Sequence, residues 1–239
     1  MANKEKKMES VKKIFILHGW TYTTDKWTDS VLRLNNAGYE VRILPVPGLT
    51  GAIDSVWTLD DYIGWLDKQL RAEVRPILIG HSNGGRIALA FAARYPDKLG
   101  KLILVASAGI YHNELSLRVK RVVFGALAKL GRTLTTSRVA RGFLYKLAGE
   151  SDYKNATPQM RETMNNLITV DLTDRLDSIV TPTLLIWGDD DKLTPIGDGI
   201  KIKTLIKNSE MYVINSAGHS PHFTHVTEVT RRIINYLQS

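Results

Sequence analysis

Short apolar runs that never alternate with polar residues restrict this chain more than any other feature. Ile14-Phe15-Ile16-Leu17 and Leu184-Leu185-Ile186-Trp187 leave no polar face, as expected of strands covered on both sides. Strand candidates recur at Lys13–Leu17, Tyr39–Leu44, Pro76–Ile79, Lys101–Val105, Thr183–Trp187 and Met211–Ile214, with helical segments between them. That alternation predicts an α/β fold: a mostly parallel sheet flanked by helices on both faces. One helix is expected to open at Thr58-Leu59-Asp60-Asp61, where the threonine can cap and the acids suit the first turn.

From residue 110 to 178 the strand signal stops and helical spacing replaces it. Val119, Val122, Val123, Ala126, Leu127 and Leu130 mark one helix, and Val139, Phe143, Leu144 and Leu147 a second. Thr157-Pro158 supplies a cap and first-turn proline for a third, with Met160, Met164, Leu167 and Ile168 on one side. The 239-residue length suits a single large domain carrying an insertion. Residues 1–109 and 179–239 are therefore read as the core, and 110–178 as an inserted helical cap.

Charge concentrates in that insertion. The chain carries a net +8, and between Tyr111 and Val170 ten Lys or Arg face four acids. Charge at helical spacing reads first as a solvated face. Docking to an anionic membrane surface is the weaker reading, and nucleic acid is disfavoured because no recognised binding motif accompanies the charge. The absence of cysteine excludes disulfides, thiolate catalysis and cysteine-bound metals. The charged N-terminus lacks the apolar core of a signal peptide, and no run approaches a membrane span, so a cytoplasmic protein is expected.

The chemistry centres on Ile77-Leu78-Ile79-Gly80-His81-Ser82-Asn83-Gly84-Gly85, a strand running through Gly-x-Ser-x-Gly into an alanine-rich helix. Flanking glycines allow a sharp strand-to-helix turn with the serine at its tip. The same residues also suit an ordinary turn in which Ser82 merely caps the helix. A serine nucleophile needs a base, usually histidine, oriented by a carboxylate. Asp189, Asp190 and Asp191 follow one late strand, and His219 follows the next, with His222 and His225 just beyond it. Those three histidines could be read as a metal cluster by spacing, but they lack a companion cysteine or clear acidic ligand.

With His18-Gly19-Trp20 after the first strand, Gly80 to Gly85, Trp187-Gly188-Asp189-Asp190-Asp191 with Pro195, and Gly218-His219, the chain resembles the α/β-hydrolase superfamily over nearly its whole length. The resemblance is to small capped serine hydrolases of the carboxylesterase kind. It implies Ser82 as nucleophile, His219 as base and Asp191 as the orienting acid. Asp191 fits the family pattern Gly-x-x-Asp with a proline four residues on, and Asp190 is the alternative. The backbone N–H groups of Trp20 and Asn83 would form the oxyanion hole. No cofactor and no metal are implied, and the expected partner is a small ester-like substrate. A carbon–carbon bond hydrolase acting on diketone-like compounds would keep the same triad, and the fold also serves non-catalytic ligand-binding modules. The segment Leu44 to Gly51 departs from the relatives' pattern by lacking its acid, which bears on pocket shape. Asn83 is polar where the family is often apolar, so its side chain either touches the acyl pocket or caps the helix.

Overall fold

The computed structural model describes residues 12–111 and 156–239. Six strands form one sheet: β1 (Lys13–Leu17), β2 (Glu40–Ile43), β3 (Ile77–His81), β4 (Lys101–Val105), β5 (Thr183–Gly188) and β6 (Ser209–Ile214). Their order is β2-β1-β3-β4-β5-β6 and every pairing is parallel. All strands therefore end at one edge of the sheet, and the loops leaving that edge carry every candidate residue.

Alternate side chains of the central strands enter two separate cores. Phe15, Leu17, Leu78, Leu102, Leu104, Leu185 and Trp187 pack on one face. There they meet α2 (Leu59–Leu70), α3 (Asn83–Arg94) and the 3-10 turn Thr173–Ser178. Ile14, Ile16, Ile77, Ile79, Ile103, Val105, Leu184 and Ile186 pack on the other. That face is covered by Trp27, by α1 (Thr28–Asn36) and by α7 (Val226–Gln238). Burial on both faces is why these strands read as continuous apolar runs.

All six expected strands are present, with shifts at their ends. β3 runs to His81, carrying the strand up to Ser82 itself. β6 starts at Ser209, two residues before its apolar stretch, because Ser209 and Glu210 pair with Thr183 and Leu184 of β5. The expected cap at Thr58 is a reciprocal capping box with Asp61. Helix α5 (Ile196–Leu205) follows β5. The last helical stretch is interrupted at His225, which separates α6 (Pro221–Thr224) from α7.

Of the inserted segment, α4 (Pro158–Ile168) forms as expected, with Thr157 accepting from the Met160 N–H and Pro158 in the first turn. Its Met160, Met164 and Leu167 join the core beneath α2 and α3. The two helices expected across Val119–Leu130 and Val139–Leu147, and nearly all of the basic residues, lie outside the described residues. Among the described residues no helix is long and apolar enough to cross a membrane.

The β3–α3 junction is strained. Ser82 has φ 53° and ψ −120°, a region L-residues rarely occupy. A Cβ on Gly84 would lie 2.2 Å from the Leu17 carbonyl oxygen, and one on Gly80 would lie 2.7 Å from Gly85 Cα. The glycines thus let α3 begin directly against the end of β1. Backbone atoms cannot yield as a side chain can, so Gly84→Ala should destabilise the fold by about 1–3 kcal/mol. Urea unfolding of the variant tests this; an unchanged midpoint would show that the junction relaxes freely.

Candidate active site

Ser82 occupies the N-cap position of α3, yet its side chain makes no capping bond. Its Oγ lies 2.9 Å from His219 Nε2 instead. The capping role that the sequence left open is therefore not the one the hydroxyl performs. The backbone around it is fixed by the Ser82 N–H to the Val105 carbonyl at 3.2 Å and by the Ala108 N–H to the Ser82 carbonyl at 2.9 Å.

His219 lies on the loop between β6 and α6, and its Nδ1 is 2.9 Å from Asp191 Oδ2. An ionised carboxylate only accepts, so Nδ1 carries the proton and Nε2 is left to accept from the Ser82 hydroxyl. Asp191 lies on the loop leaving β5, with its side chain fully buried. Oδ1 accepts from the Leu193 and Thr194 N–H groups at 2.8 and 3.0 Å. Oδ2 accepts from the Thr194 hydroxyl at 2.7 Å as well as from His219. Burial alone would push the Asp191 pKa up, but the bonds and charge of His219 and the bonds from Thr194 outweigh it and hold the pKa below the ordinary value. The carboxylate is thus anionic and fixed in place.

The alternatives are placed elsewhere. Asp190 points to solvent, where it pairs with Lys192 at 2.5 Å. His222 is buried, stacks on Trp27 at 4.1 Å between ring centroids, and has no hydrogen-bond partner for Nδ1. The His225 Nδ1 lies 2.9 Å from the Thr224 hydroxyl, in an exposed contact.

Trp20 and Asn83 both border the cavity beside Ser82, a space of about 430 Å³ that also reaches Lys26, Arg86, Met164, Ile168 and Leu193. Asn83 is the first residue of α3, so its N–H belongs to the helix-start donors that lack an intrahelical acceptor. The loop bearing Trp20 passes so close that a Cβ on Gly19 would sit 2.9 Å from Ser82 Cβ. The Asn83 side chain neither caps nor pairs: both of its polar atoms are buried without a partner. A second hollow, of about 480 Å³, lies at the opposite end of the strands against Lys12, Glu73, Arg75 and Lys101 and includes none of these residues.

Three supporting residues complete the arrangement. His81 Nε2 donates to the His219 carbonyl at 2.8 Å, which ties the strand before the serine to the loop of the histidine. His18 Nδ1 donates to the Gly19 carbonyl at 2.9 Å while its Nε2 accepts from the Thr50 hydroxyl at 2.8 Å, which fixes the loop of Trp20. The Thr50 hydroxyl oxygen in turn accepts from the Val46 N–H at 3.2 Å. His18 and His81 thus hold the two strand-end motifs in place around the site. Thr194 and Thr50 were missed, because a threonine in a loop carries no signal until its partners are known. Thr50 sits in the Leu44–Gly51 segment that lacks the family's acid, and it supplies an anchor there.

Three neutral histidines at one site make stability depend on pH. Burial pushes the pKa of His222 down to about 3, with the charges of His219 and Lys26 adding to it. Burial likewise lowers His18 and, strongly, His81. Unfolded histidines take up protons near pH 6.5, whereas in the fold these take them up only at lower pH, so each contributes stability that is lost as pH falls below that value. The loss is at most about 1.4 kcal/mol per pH unit for each group. Asp191, also depressed, adds its own loss only at lower pH, once unfolded carboxylates begin to protonate near 4. Urea unfolding at pH 7, 6 and 5 should therefore show a shallower decline for His222→Phe than for the parent. Parallel declines would mean that His222 is protonated in the fold.

Comparison with known proteins agrees with this architecture. The chain is 25% identical to a 2-hydroxy-6-oxononadienedioate/2-hydroxy-6-oxononatrienedioate hydrolase of Paraburkholderia phymatum, over 94% of this chain and 86% of the relative. It is also 25% identical to a 2-hydroxy-6-oxo-6-phenylhexa-2,4-dienoate hydrolase of Comamonas testosteroni, over 94% and 87% of the two chains. Among solved structures, a putative lipase from Acinetobacter baumannii superposes with a TM-score of 0.76 at 22% identity, covering 96% of this chain and 84% of the other. A family model described as the alpha/beta hydrolase fold matches residues 13–226, nearly the whole length, and the chain belongs to that family.

Proposed function

We propose that the chain is a serine hydrolase that transfers an acyl group from a carboxylic ester to water through Ser82, His219 and Asp191. The observation that carries this reading is the continuous relay from Ser82 Oγ through the His219 ring to a carboxylate with four donors. His219 Nε2 takes the hydroxyl proton as Oγ bonds to the acyl carbon, and the carbonyl electron pair moves onto oxygen. Backbone N–H groups of Asn83 and Trp20 stabilise that oxyanion. His219 then returns the proton to the leaving alcohol as its bond to the acyl carbon breaks. A water molecule, deprotonated by the same ring, repeats the sequence on the acyl-enzyme and frees Ser82.

Asp191 keeps the imidazole in the tautomer that accepts from serine and stabilises the imidazolium formed midway. Thr194 holds Asp191 through both its N–H and its hydroxyl, and so acts on the reaction by positioning. Residues 110–178 serve as a cap over Ser82, with residues 1–109 and 179–239 as the catalytic core. The placement of Met164 and Ile168 of α4 on the cavity wall supports that division.

A second reading keeps the triad and changes the bond. The two curated relatives described above are named as hydrolases of 2-hydroxy-6-oxo dienoates and dienedioates. On such a substrate the leaving group is a carbon, and His219 would return its proton there instead of to oxygen.

The two are separated by assaying short and long alkyl esters beside a vinylogous 1,5-diketone acid, following acid release. Ester turnover should dominate, and diketone turnover alone would favour the second reading. A fluorophosphonate should label the parent chain and not Ser82→Ala; an unlabelled, folded parent would point to a binding module. Asp191→Asn should lower kcat about 10⁴-fold with the melting transition retained. Thr194→Val should lower kcat about tenfold through one lost hydrogen bond to a charged group, and unchanged kcat would remove Thr194 from the relay's support.

A further inference from the structure

Besides His222, two buried polar side chains beside Ser82, both on α3, are left without the partners that burial ordinarily demands. Asn83 is 2% exposed, and neither its Oδ1 nor its Nδ2 has a hydrogen-bond partner. Arg86 is 5% exposed; its Nη1 donates to the Val170 carbonyl at 2.5 Å, while Nε has no partner. An unpaired buried polar group is destabilising, and more so when it is charged. Two such groups, three residues apart on the first turn of α3, share one face of the helix. Both line the cavity that contains Ser82.

The charge of that cavity is one-sided. Its described lining includes Lys26 and Arg86 and no aspartate or glutamate. Burial lowers the Arg86 pKa to about 10, with Asp171 opposing the shift, so the guanidinium stays cationic at neutral pH. Asp171 does not neutralise it by direct contact: Asp171 Oδ1 accepts instead from the Tyr111 N–H at 3.4 Å and from the Thr173 N–H and hydroxyl at 3.0 and 2.7 Å. A cation and an amide donor on one helix face match the two oxygens of a carboxylate.

We propose that Asn83 and Arg86 form a carboxylate-binding subsite, so that the substrate is an acyl compound bearing a second, anionic carboxylate group. The proposal rests on the reading that Ser82 is the nucleophile of this cavity. Because the subsite lies within one helical turn of Ser82, it selects short half-esters, in which only a few carbons separate the carboxylate from the scissile carbonyl. Bound carboxylate would supply the Arg86 guanidinium and the Asn83 Nδ2 with the acceptor they lack, leaving Asn83 Oδ1 to accept from a donor elsewhere on the substrate, and Val170 would hold the guanidinium in register.

The test compares kcat/KM for monomethyl glutarate and methyl pentanoate, which differ chiefly by the carboxylate, in the parent, Asn83→Ala, Arg86→Met and Arg86→Lys. 4-Acetoxybutanoate and butyl acetate repeat the comparison with the charge on the alcohol side. The parent should prefer the anionic member of at least one pair. Arg86→Met should reduce that preference about 10- to 100-fold, Asn83→Ala by less, and Arg86→Lys should restore part of it. A parent without preference, or variants that lose both members of a pair equally, would overturn the subsite and leave Arg86 as an anchor for Val170. If the parent hydrolyses none of these compounds, glutarate binding to Ser82→Ala by calorimetry decides separately. Binding lost in Ser82→Ala/Arg86→Met would support the subsite even though the hydrolase reading had failed, and absent binding in Ser82→Ala would overturn it.

Discussion

The tight approach between the start of α3 and the end of β1 is the constraint on which the rest of the site depends. Gly84 places the helix against the Leu17 and His18 carbonyls with no room for a side chain. That closeness forces the chain at Ser82 into its positive φ, lifts the hydroxyl away from the capping position, and aims it at His219. It also brings the Gly19–Trp20 loop onto the serine, since that loop leaves the same β1 end. Strain of this kind persists only where the surroundings over-determine it, and here both glycines and the bonds to Val105 and Ala108 do so.

Around this fixed point the polar groups form a closed system. Asp191 has four donors, His219 uses both ring nitrogens, and its carbonyl is held by His81. Such a network is stiff because every member is satisfied, and each partner restricts the next. The Asn83 amide and the Arg86 Nε stand outside it. The bonded groups hold the site together, whereas Asn83, Arg86 and His222, which also line the cavity, each keep a polar atom without a partner.

Much of this was legible in the sequence because two kinds of signal survive without a structure. Apolar runs located the central strands, which a doubly covered sheet requires to be apolar, whereas β2 at the edge keeps Glu40 and Arg42 in solvent. Motifs that follow strand ends located Ser82, Asp191 and His219, because a parallel sheet places every such loop at the same edge. Of the alternatives the residues left open, Asp190 is turned to Lys192 in solvent, and His222 is stacked on Trp27. Thr194 and Thr50 could not be found in this way. Their roles depend on partners up to 88 residues away, and a hydroxyl in a loop looks the same whether it is bonded or free. The β6 boundary and the break at His225 were missed for a related reason, since strand pairing and a local change of helix direction leave no mark in hydropathy.

The strand order has a consequence for how the chain becomes reactive. β1 to β4 occupy contiguous places in the sheet, and β5 and β6 extend it from one side in the order in which they are made. The serine turn belongs to the early half, whereas its acid and base arrive with the last two strands. The four contiguous strands β1 to β4 thus carry the helix-start turn, and Asp191 and His219 join it only with β5 and β6. On the proposed mechanism, reactivity appears only as the final edge docks, so a chain lacking β5 and β6 carries Ser82 without His219 or Asp191 beside it.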